Sequence, residues 1–312
     1  MFENVKAKFA ERRLDNAQEK HARKYDVLYK RTGGEKGLFI VMLIIFVLFA
    51  ASFIFPFLWV LMNSFKPKGE FAMNFMGLPK TWTFENYRQA FTIKESQSGY
   101  TVFQMLGMST IIAGGGTLAT VLTSSAAAYV VAKYKFPGRN LIFTVVIFAM
   151  IIPVVGALPS QIQLMTKLGL NGKILGPIFI YSGGFGANFL LLYSFFKNLS
   201  WTYVEAAKVD GASDFRIFFK IIVPMAKGPI IAVSVIQLIG LWNDYLTPSI
   251  YLPKRPTIAV GLKYISDALI DARGEYTVLF ATIVLTLLPI IILFVSFSKT
   301  IMENTSVGGI KG

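Results

Sequence analysis

Long apolar stretches without charged side chains recur along the chain, and shorter polar segments separate them. A helix that crosses the hydrocarbon core of a bilayer needs about 20 mostly apolar residues. Six segments meet this need, and the fifth has the shortest uncharged stretch. The pattern predicts an all-α integral membrane protein with six transmembrane helices. These helices are predicted near 38–61, 105–131, 141–161, 174–196, 226–247 and 276–298.

The first apolar run also sets the predicted domain boundary. It is far longer than the 7–15 apolar residues of a cleaved signal peptide, so we expect it to remain as a signal anchor. Residues 38–312 are then one membrane domain, and residues 1–37 are a basic N-terminal tail. The tail mixes Lys and Arg with Glu. Either a solvated helix or a contact with lipid headgroups fits this mixture.

The distribution of basic residues predicts how the helices are oriented. With six spans both termini lie on one side, and that side holds 20 of the 31 Lys and Arg residues. Because loops rich in Lys and Arg stay in the cytoplasm, both termini are predicted to be cytoplasmic. The long stretches 63–104 and 248–275 are predicted to be loops that face outward. This asymmetry accounts for the net charge of +14 without nucleic acid.

Composition excludes several classes of function. Hydrophobic residues make up 54% and charged residues 15% of the chain, and the mean hydropathy is +0.57. These values exclude a disordered protein and an ordinary soluble enzyme. There is no cysteine, and His21 is the one histidine. We therefore expect no catalytic residue and no metal site in this chain.

The predicted spans carry amides and small residues rather than buried charges. Their lack of central ionisable groups argues against coupling to protons or ions. Amide side chains suit a neutral, hydroxyl-rich solute, and hydrogen bonds between helices are the favoured alternative for any single amide. The small residues of segment 113–116 indicate close helix packing or a surface that slides against a partner. The candidate pathway residues are Gln161, Asn188, Gln237 and Asn243.

Segment 200–224, between the fourth and fifth predicted spans, has the pattern of two helices joined by a turn. Thr202 and Glu205 have the spacing of a capping box, so a helix is predicted to begin near Thr202. Gly211 is placed to end that helix, and Ser213 or Asp214 can cap a second one. Such a hairpin at the cytoplasmic surface is either a handle for a partner or an interfacial hairpin without one.

The same segment resembles the EAA loop of ABC importer permeases. Residues 82–87 and 242–244 resemble further motifs of this group, and residues 308–312 resemble the C-terminal signature of sugar permeases of the maltose type. The resemblance covers about residues 38–312 and is closest to the second permease of the carbohydrate-uptake group. The residues of the coupling motif are Glu205, Ala206, Ala207, Asp210, Gly211, Ile221 and Pro224.

This resemblance implies a division of labour between subunits. The chain has no phosphate-binding G-x-x-x-x-G-K-[ST] loop, so we expect no cofactor in it and expect separate subunits to bind ATP and Mg²⁺. The implied complex, in a bacterial cytoplasmic membrane, contains a homologous permease in a heterodimer, two ATP-binding cassette subunits that dock on the EAA loop, and an extracellular solute-binding protein. ATP hydrolysis would drive alternating access of a sugar pathway.

The resemblance also implies two further contact regions. The C-terminal residues are expected to touch the ATPase, and the alternative is a frayed tail. The segment before the last span is expected to touch the binding protein, and the alternative is a solvated spacer. The C-terminal residues are Gly308, Gly309, Lys311 and Gly312. The binding-protein residues are Ile265, Ser266, Asp267, Ala268, Asp271 and Arg273.

The sequence leaves two alternatives to a sugar permease. One is a permease for another solute class, such as polyamines or phosphate. The other is a membrane-embedded enzyme, which needs carboxylates or histidine at a membrane face. Its candidate carboxylates are Asp244, Asp267, Asp271 and Glu275.

Overall fold

The computed structural model describes residues 33–95, 98–152, 156–273 and 275–305, and most of these residues are helical. Most of the N-terminal tail and the last seven residues lie outside this part of the chain. The helices are α1 (Gly33–Ser64), α2 (Lys68–Met73), α3 (Glu85–Thr92), α4 (Val102–Lys133), α5 (Arg139–Ile151), α6 (Ala157–Lys167), α7 (Leu175–Tyr181), α8 (Ala187–Asn198), α9 (Thr202–Val209), α10 (Asp214–Ile217), α11 (Val223–Met225), α12 (Lys227–Asn243), α13 (Leu246–Tyr251), α14 (Ile258–Arg273) and α15 (Tyr276–Thr305). A π-helical turn, Phe218–Ile222, joins α10 to α11.

Three described helices are long and apolar enough to cross a membrane. They span Gly34–Ser64, Val102–Lys133 and Tyr276–Ile301. A fourth candidate is the pair Asp214–Met225 and Lys227–Asn243, which is bent by 81°. An all-helical membrane protein with several spans is thus confirmed, and three of the six predicted spans match long continuous helices.

The third and fourth predicted spans are each divided into two helices, so neither is the single continuous helix that the sequence predicts. Segment 141–161 divides into α5 and α6, and segment 174–196 divides into α7 and α8. Ile152 ends α5 in an extended conformation because it precedes Pro153, whose ring disfavours the helical conformation there. Before α8, the backbone of Gly186 has a φ of +150°, a value that residues other than glycine rarely adopt.

The chain forms two compact units, residues 1–58 and 59–312. In the first unit the described residues belong to α1, and its side chains from residue 34 to 58 are exposed. In the second unit α4 is central and packs against α7, α8, α12 and α14. α15 packs against α3, α12 and α14.

The two largest apolar clusters of buried described residues lie in the second unit. One gathers around the C-terminal half of α4 and includes Tyr129, Phe196 and Ile217. The other gathers around the N-terminal half of α4 and includes Met105 of α4, Trp242 of α12 and several residues of α14 and α15. The hairpin between α8 and α12 is therefore fixed to the first of these clusters.

Candidate functional site

Residues 202–217 form two short helices joined by a tight turn, and we call this unit the α9–α10 hairpin. Gly211 follows α9 with a φ of +76°. Its amide donates to the Lys208 carbonyl at 3.0 Å, and the Ala212 amide donates to the Ala207 carbonyl at 2.9 Å. These two bonds define a Schellman motif, which requires a left-handed residue and so favours glycine. The predicted glycine turn is confirmed.

The start of α9 differs from the predicted cap, and the start of α10 has one of the two predicted caps. The side chain of Thr202 does not cap α9, because Thr202 is already the first helical residue, and the predicted capping box with Glu205 is wrong. The Ser200 hydroxyl instead accepts a hydrogen bond from the Thr202 amide at 3.3 Å. At α10 the cap is Ser213 rather than Asp214, since the Ser213 hydroxyl accepts from an amide three residues later at 3.4 Å.

One face of the hairpin is buried against α4 and α8. Val204 and Ile217 are fully buried, and Ala207 is nearly so. Their side chains belong to the same apolar cluster as Tyr129 of α4 and Phe196 of α8. Because buried apolar contacts resist sliding and separation, the hairpin is coupled mechanically to both long helices.

The opposite face of the hairpin is exposed and partly apolar. Val209 and Phe215 are 88% and 80% exposed, and they lie on either side of the glycine turn. The sequence analysis did not single them out, although both interrupt a polar stretch. Exposed apolar side chains grouped around a turn are typical of a surface that a partner protein covers. The exposed motif residues beside them are Glu205, Ala206, Asp210 and Gly211.

The remaining motif residues lie where the hairpin joins α12. Ile221 is half-buried in the π-helical turn, and Pro224 is exposed in the first turn of α11. A proline is tolerated there because the first turn of a helix lacks acceptors for its amides. The chain then bends by 81° at Ala226 and enters α12. The hairpin is thus continuous with a third long helix.

A polar cluster lies beside the glycine turn. The Tyr134 hydroxyl donates to Asp214 Oδ1 at 2.7 Å, and Lys208 Nζ lies 3.2 Å from the same oxygen. Partial burial, and then the hydrogen bond to Asp214, raise the pKa of Tyr134 above its ordinary value. The hydroxyl therefore keeps its proton and acts as a donor.

The structure pairs two of the four candidate pathway residues. Asn188 Nδ2 of α8 donates to Gln237 Oε1 of α12 at 2.7 Å. Asn243 Nδ2 donates to the carbonyl of Ile239 in its own helix at 2.8 Å, and Gln161 is exposed on α6. The interhelical hydrogen bond, one of the two interpretations of these amides, is therefore present at Asn188 and Gln237.

The segment expected to contact a binding protein is a helix, α14, rather than an irregular loop. Ile265 is 2% exposed and packs in the second apolar cluster, so its side chain offers no surface to a partner. Asp267 and Ala268 are exposed, and Ser266 is half-buried. The side chains of Asp271 and Arg273, and all of Gly308, Gly309, Lys311 and Gly312, lie outside the described residues.

Asp244, the first carboxylate considered for an enzyme, has a structural role. Its carboxylate accepts the Tyr181 hydroxyl at 2.7 Å, and it accepts the amides of Leu246 and Thr247 at 2.9 and 3.2 Å. It thereby fixes the start of α13 against α7. Among the described residues, no group of three or more His, Cys, Asp and Glu side chains is placed to hold a metal ion.

Comparisons with known proteins identify the family of the chain. Residues 119–302 match the family described as binding-protein-dependent transport system inner membrane component. The chain is 34% identical to the diacetylchitobiose uptake system permease protein of Streptomyces coelicolor, over 84% of this chain and 85% of that protein. It is 29% identical to the arabinooligosaccharides transport system permease protein of Bacillus subtilis, over 88% and 96% of the two chains.

The fold also matches a solved structure. A chain in the crystal structure of a bacterial ABC transporter involved in the import of the acidic polysaccharide alginate superposes with a TM-score of 0.73. The match covers 86% of this chain and 98% of that chain, at 22% identity. At this identity the similarity concerns the fold.

Proposed function

Because the chain belongs to the family of binding-protein-dependent transport system inner membrane components, and is thus a permease subunit of an ABC importer, we propose that its solute is an oligosaccharide. Relatives at 29–34% identity are named for the uptake of diacetylchitobiose, arabinooligosaccharides and galactooligosaccharides. The amides of Asn188 and Gln237 supply donors and acceptors that suit sugar hydroxyls. Their mutual hydrogen bond is available for exchange with a hydroxyl as the pathway opens.

The α9–α10 hairpin is the docking site of a separate ATPase subunit in this proposal. The observation that carries it is a rigid hairpin with one face buried against α4 and α8 and an opposite face that exposes Val209 and Phe215. Val209 and Phe215 supply apolar area that the docked ATPase buries, and Glu205 and Asp210 supply charge around it. ATP and Mg²⁺ bind to that partner and not to this chain.

Movement of the hairpin would then open and close the pathway. An ATPase that shifts the hairpin also shifts α4 and α8 through their buried contacts, and it shifts α12 through the continuous chain at Ala226. Asn188 lies on α8 and Gln237 on α12, so both pathway amides are on helices that move. This is rigid-body alternating access.

The proposed topology has six spans with both termini in the cytoplasm of a bacterium. In it, α5 with α6 and α7 with α8 each form one broken span, and the basic residues stay on the cytoplasmic side. The C-terminal residues 308–312 reach the ATPase from that side. Non-helical backbone at membrane depth is tolerated where it is buried in protein or lines a cavity.

On the outer face the proposed partner is a solute-binding protein. Asp267 and Ala268 on α14 are exposed and are the positions we assign to this contact, with Ser266 beside them. Asp271 and Arg273 continue the same helix toward its end. A homologous permease forms the other half of the pathway, in a complex with two ATPase subunits.

Reconstitution of the complex in lipid tests this proposal. We expect an oligosaccharide-loaded binding protein to stimulate ATP hydrolysis, and Glu205→Lys to abolish the stimulation because it reverses the charge on the docking face. Gly211→Ala should weaken the stimulation, since an L residue is strained by about 1–2 kcal/mol in the left-handed region.

Gly172→Ala is the matched control for Gly211→Ala. Gly172 also has a positive φ of +73°, and an added Cβ has no other atom within 4 Å at either glycine, but Gly172 lies between α6 and α7. Stimulation should be normal in this variant. Full stimulation in Glu205→Lys and Gly211→Ala would contradict the docking site, and stimulation by a non-sugar solute alone would contradict the solute class.

A further inference from the structure

The last residue of α4 forms hydrogen bonds with the end of α8, from which the chain enters the hairpin. Lys133, the last residue of α4, donates its ammonium protons to the carbonyls of Leu199 and Lys197 at the end of α8. The final carbonyls of a helix have no partner within the helix, and a cation there also interacts favourably with the helix dipole. The C-terminal ends of α4 and α8 are therefore tied together just before α9 begins.

The next residue, Tyr134, contacts the hairpin at two places and Trp201 immediately before it. Its ring meets the Trp201 ring edge-on with centroids 5.7 Å apart, at the start of α9. Lys208 Nζ, near the end of α9, lies 5.7 Å from the centre of the Tyr134 ring. The Tyr134 hydroxyl bonds Asp214 at the start of α10. One side chain thus touches both helices and spans the turn between them.

The glycine turn needs such an external contact. The two Schellman hydrogen bonds hold Gly211 and Ala212 to the end of α9, and neither of them reaches α10, so the turn alone does not fix the angle between α9 and α10. Lys208 and Asp214 face each other across this turn at 3.2 Å. Both are about half exposed, so their ion pair adds little to stability, and its main effect is on geometry.

We propose that Tyr134 is a positioning residue that fixes the angle of the α9–α10 hairpin through Asp214 and passes the movement of the hairpin to α4. The proposal rests on the proposed coupling role of the hairpin and assigns the polar contact through which it acts. The buried face fixes where the hairpin sits, and the Tyr134 hydroxyl fixes the orientation of its exposed face toward the ATPase.

The test uses the complete complex reconstituted in lipid. It measures the ratio of solute imported to ATP hydrolysed, and the amount of assembled complex is measured separately. Tyr134→Phe keeps the ring and removes the hydroxyl. We expect it to lower this ratio by about threefold to tenfold, with basal ATP hydrolysis and the amount of complex unchanged. Tyr193→Phe is the matched control, because it removes a hydroxyl from α8 while keeping its ring contacts with Phe143 and Phe189. It should transport normally.

Variants of Asp214 separate positioning from simple packing. Asp214→Ala should match the loss in Tyr134→Phe, and the double variant should lose no more than either single one, since both remove the same contact. Asp214→Asn keeps an oxygen that accepts the hydroxyl proton, and it should retain more coupling than Asp214→Ala.

Three outcomes would overturn the proposal. The first is a normal ratio of solute imported to ATP hydrolysed in Tyr134→Phe. The second is an additive loss of this ratio in the double variant, and the third is a loss of transport explained by a lower amount of complex. If Tyr134→Phe is normal while Gly211→Ala uncouples transport, this inference fails and the proposed function stands. If Gly211→Ala and Glu205→Lys also leave transport coupled, the proposed function itself fails.

Discussion

Asn86 shows how a single buried amide joins distant parts of the chain. Its side-chain nitrogen donates to the carbonyls of Ser64 and Lys66 at 2.8 Å each, and its oxygen accepts the Thr277 hydroxyl at 3.2 Å. These bonds tie the end of α1 and the start of α15 to α3. Asn86 lies in segment 82–87, which resembles a family motif, and this hydrogen bonding gives that segment a structural role.

Asn86→Ala should therefore destabilise the membrane domain. The side chain is 5% exposed, so its removal leaves two buried carbonyls and a hydroxyl without this partner. We expect a loss of about 2 kcal/mol in the free energy of unfolding, measured as a lower thermal midpoint in detergent. Asn171→Ala is the control, because Asn171 is exposed and bonds only locally, to Thr166. Equal midpoints for the two variants would contradict the role given to Asn86.

At the scale of elements, the small residues of α4 set how closely its neighbours approach. A Cβ added at Gly116 would lie 2.7 Å from a ring carbon of Tyr181 and 2.7 Å from a methyl carbon of Leu241. A Cβ added at Gly114 has no such neighbour within 4 Å. Close helix packing, one of the two interpretations of segment 113–116, is present at Gly116.

Gly116→Val should consequently lower stability where Gly114→Val does not. Both variants place the same β-branched residue in the same helix, so their intrinsic helix propensities are matched. Overpacking at Gly116 should cost about 1–3 kcal/mol, because Tyr181 and Leu241 must move. Thermal unfolding of the two variants gives the comparison. A thermal midpoint for Gly116→Val as high as that for Gly114→Val would show that α7 and α12 do not pack closely against α4 at Gly116.

The elements also show how far the sequence predicts the fold. The spans at α1, α4 and α15 were predicted within a few residues because each is one uninterrupted apolar run. The breaks before α6 and α8 were missed because a stretch without charged residues says nothing about backbone conformation at Gly156 and Gly186. α14 was predicted as a loop because charged residues are interspersed in it. Ile258, Ile265 and Leu269, all buried, recur at helical spacing and were the available signal.

The hairpin was predicted more completely than the surface around it. Gly211 and the motif residues follow from local backbone chemistry and from the family resemblance. The exposure of Val209 and Phe215 does not, because whether an apolar side chain reaches the core depends on where α4 and α8 lie. The contact between Tyr134 and Asp214 joins residues 80 positions apart, and no local pattern indicates it.

At the scale of the whole molecule, we propose that the exposed face of the hairpin receives force from an ATPase and that α4, α8 and α12 carry it inward. The docking face of the hairpin and the outward segment 63–104 are expected to contact different partner proteins. Phe215 is 80% exposed on the hairpin, and Met73 is 86% exposed at the end of α2. In the proposed topology these two apolar side chains lie on opposite sides of the membrane.

Photo-crosslinking from these two positions is the most direct test of the docking site. A benzophenone amino acid is placed at Phe215 or at Met73 in the assembled complex, and the crosslinked subunits are identified by mass. The account predicts that the probe at Phe215 crosslinks to the ATPase subunit and that the probe at Met73 does not. An ATPase crosslink from Met73, or none from Phe215 in a complex that hydrolyses ATP, would contradict it.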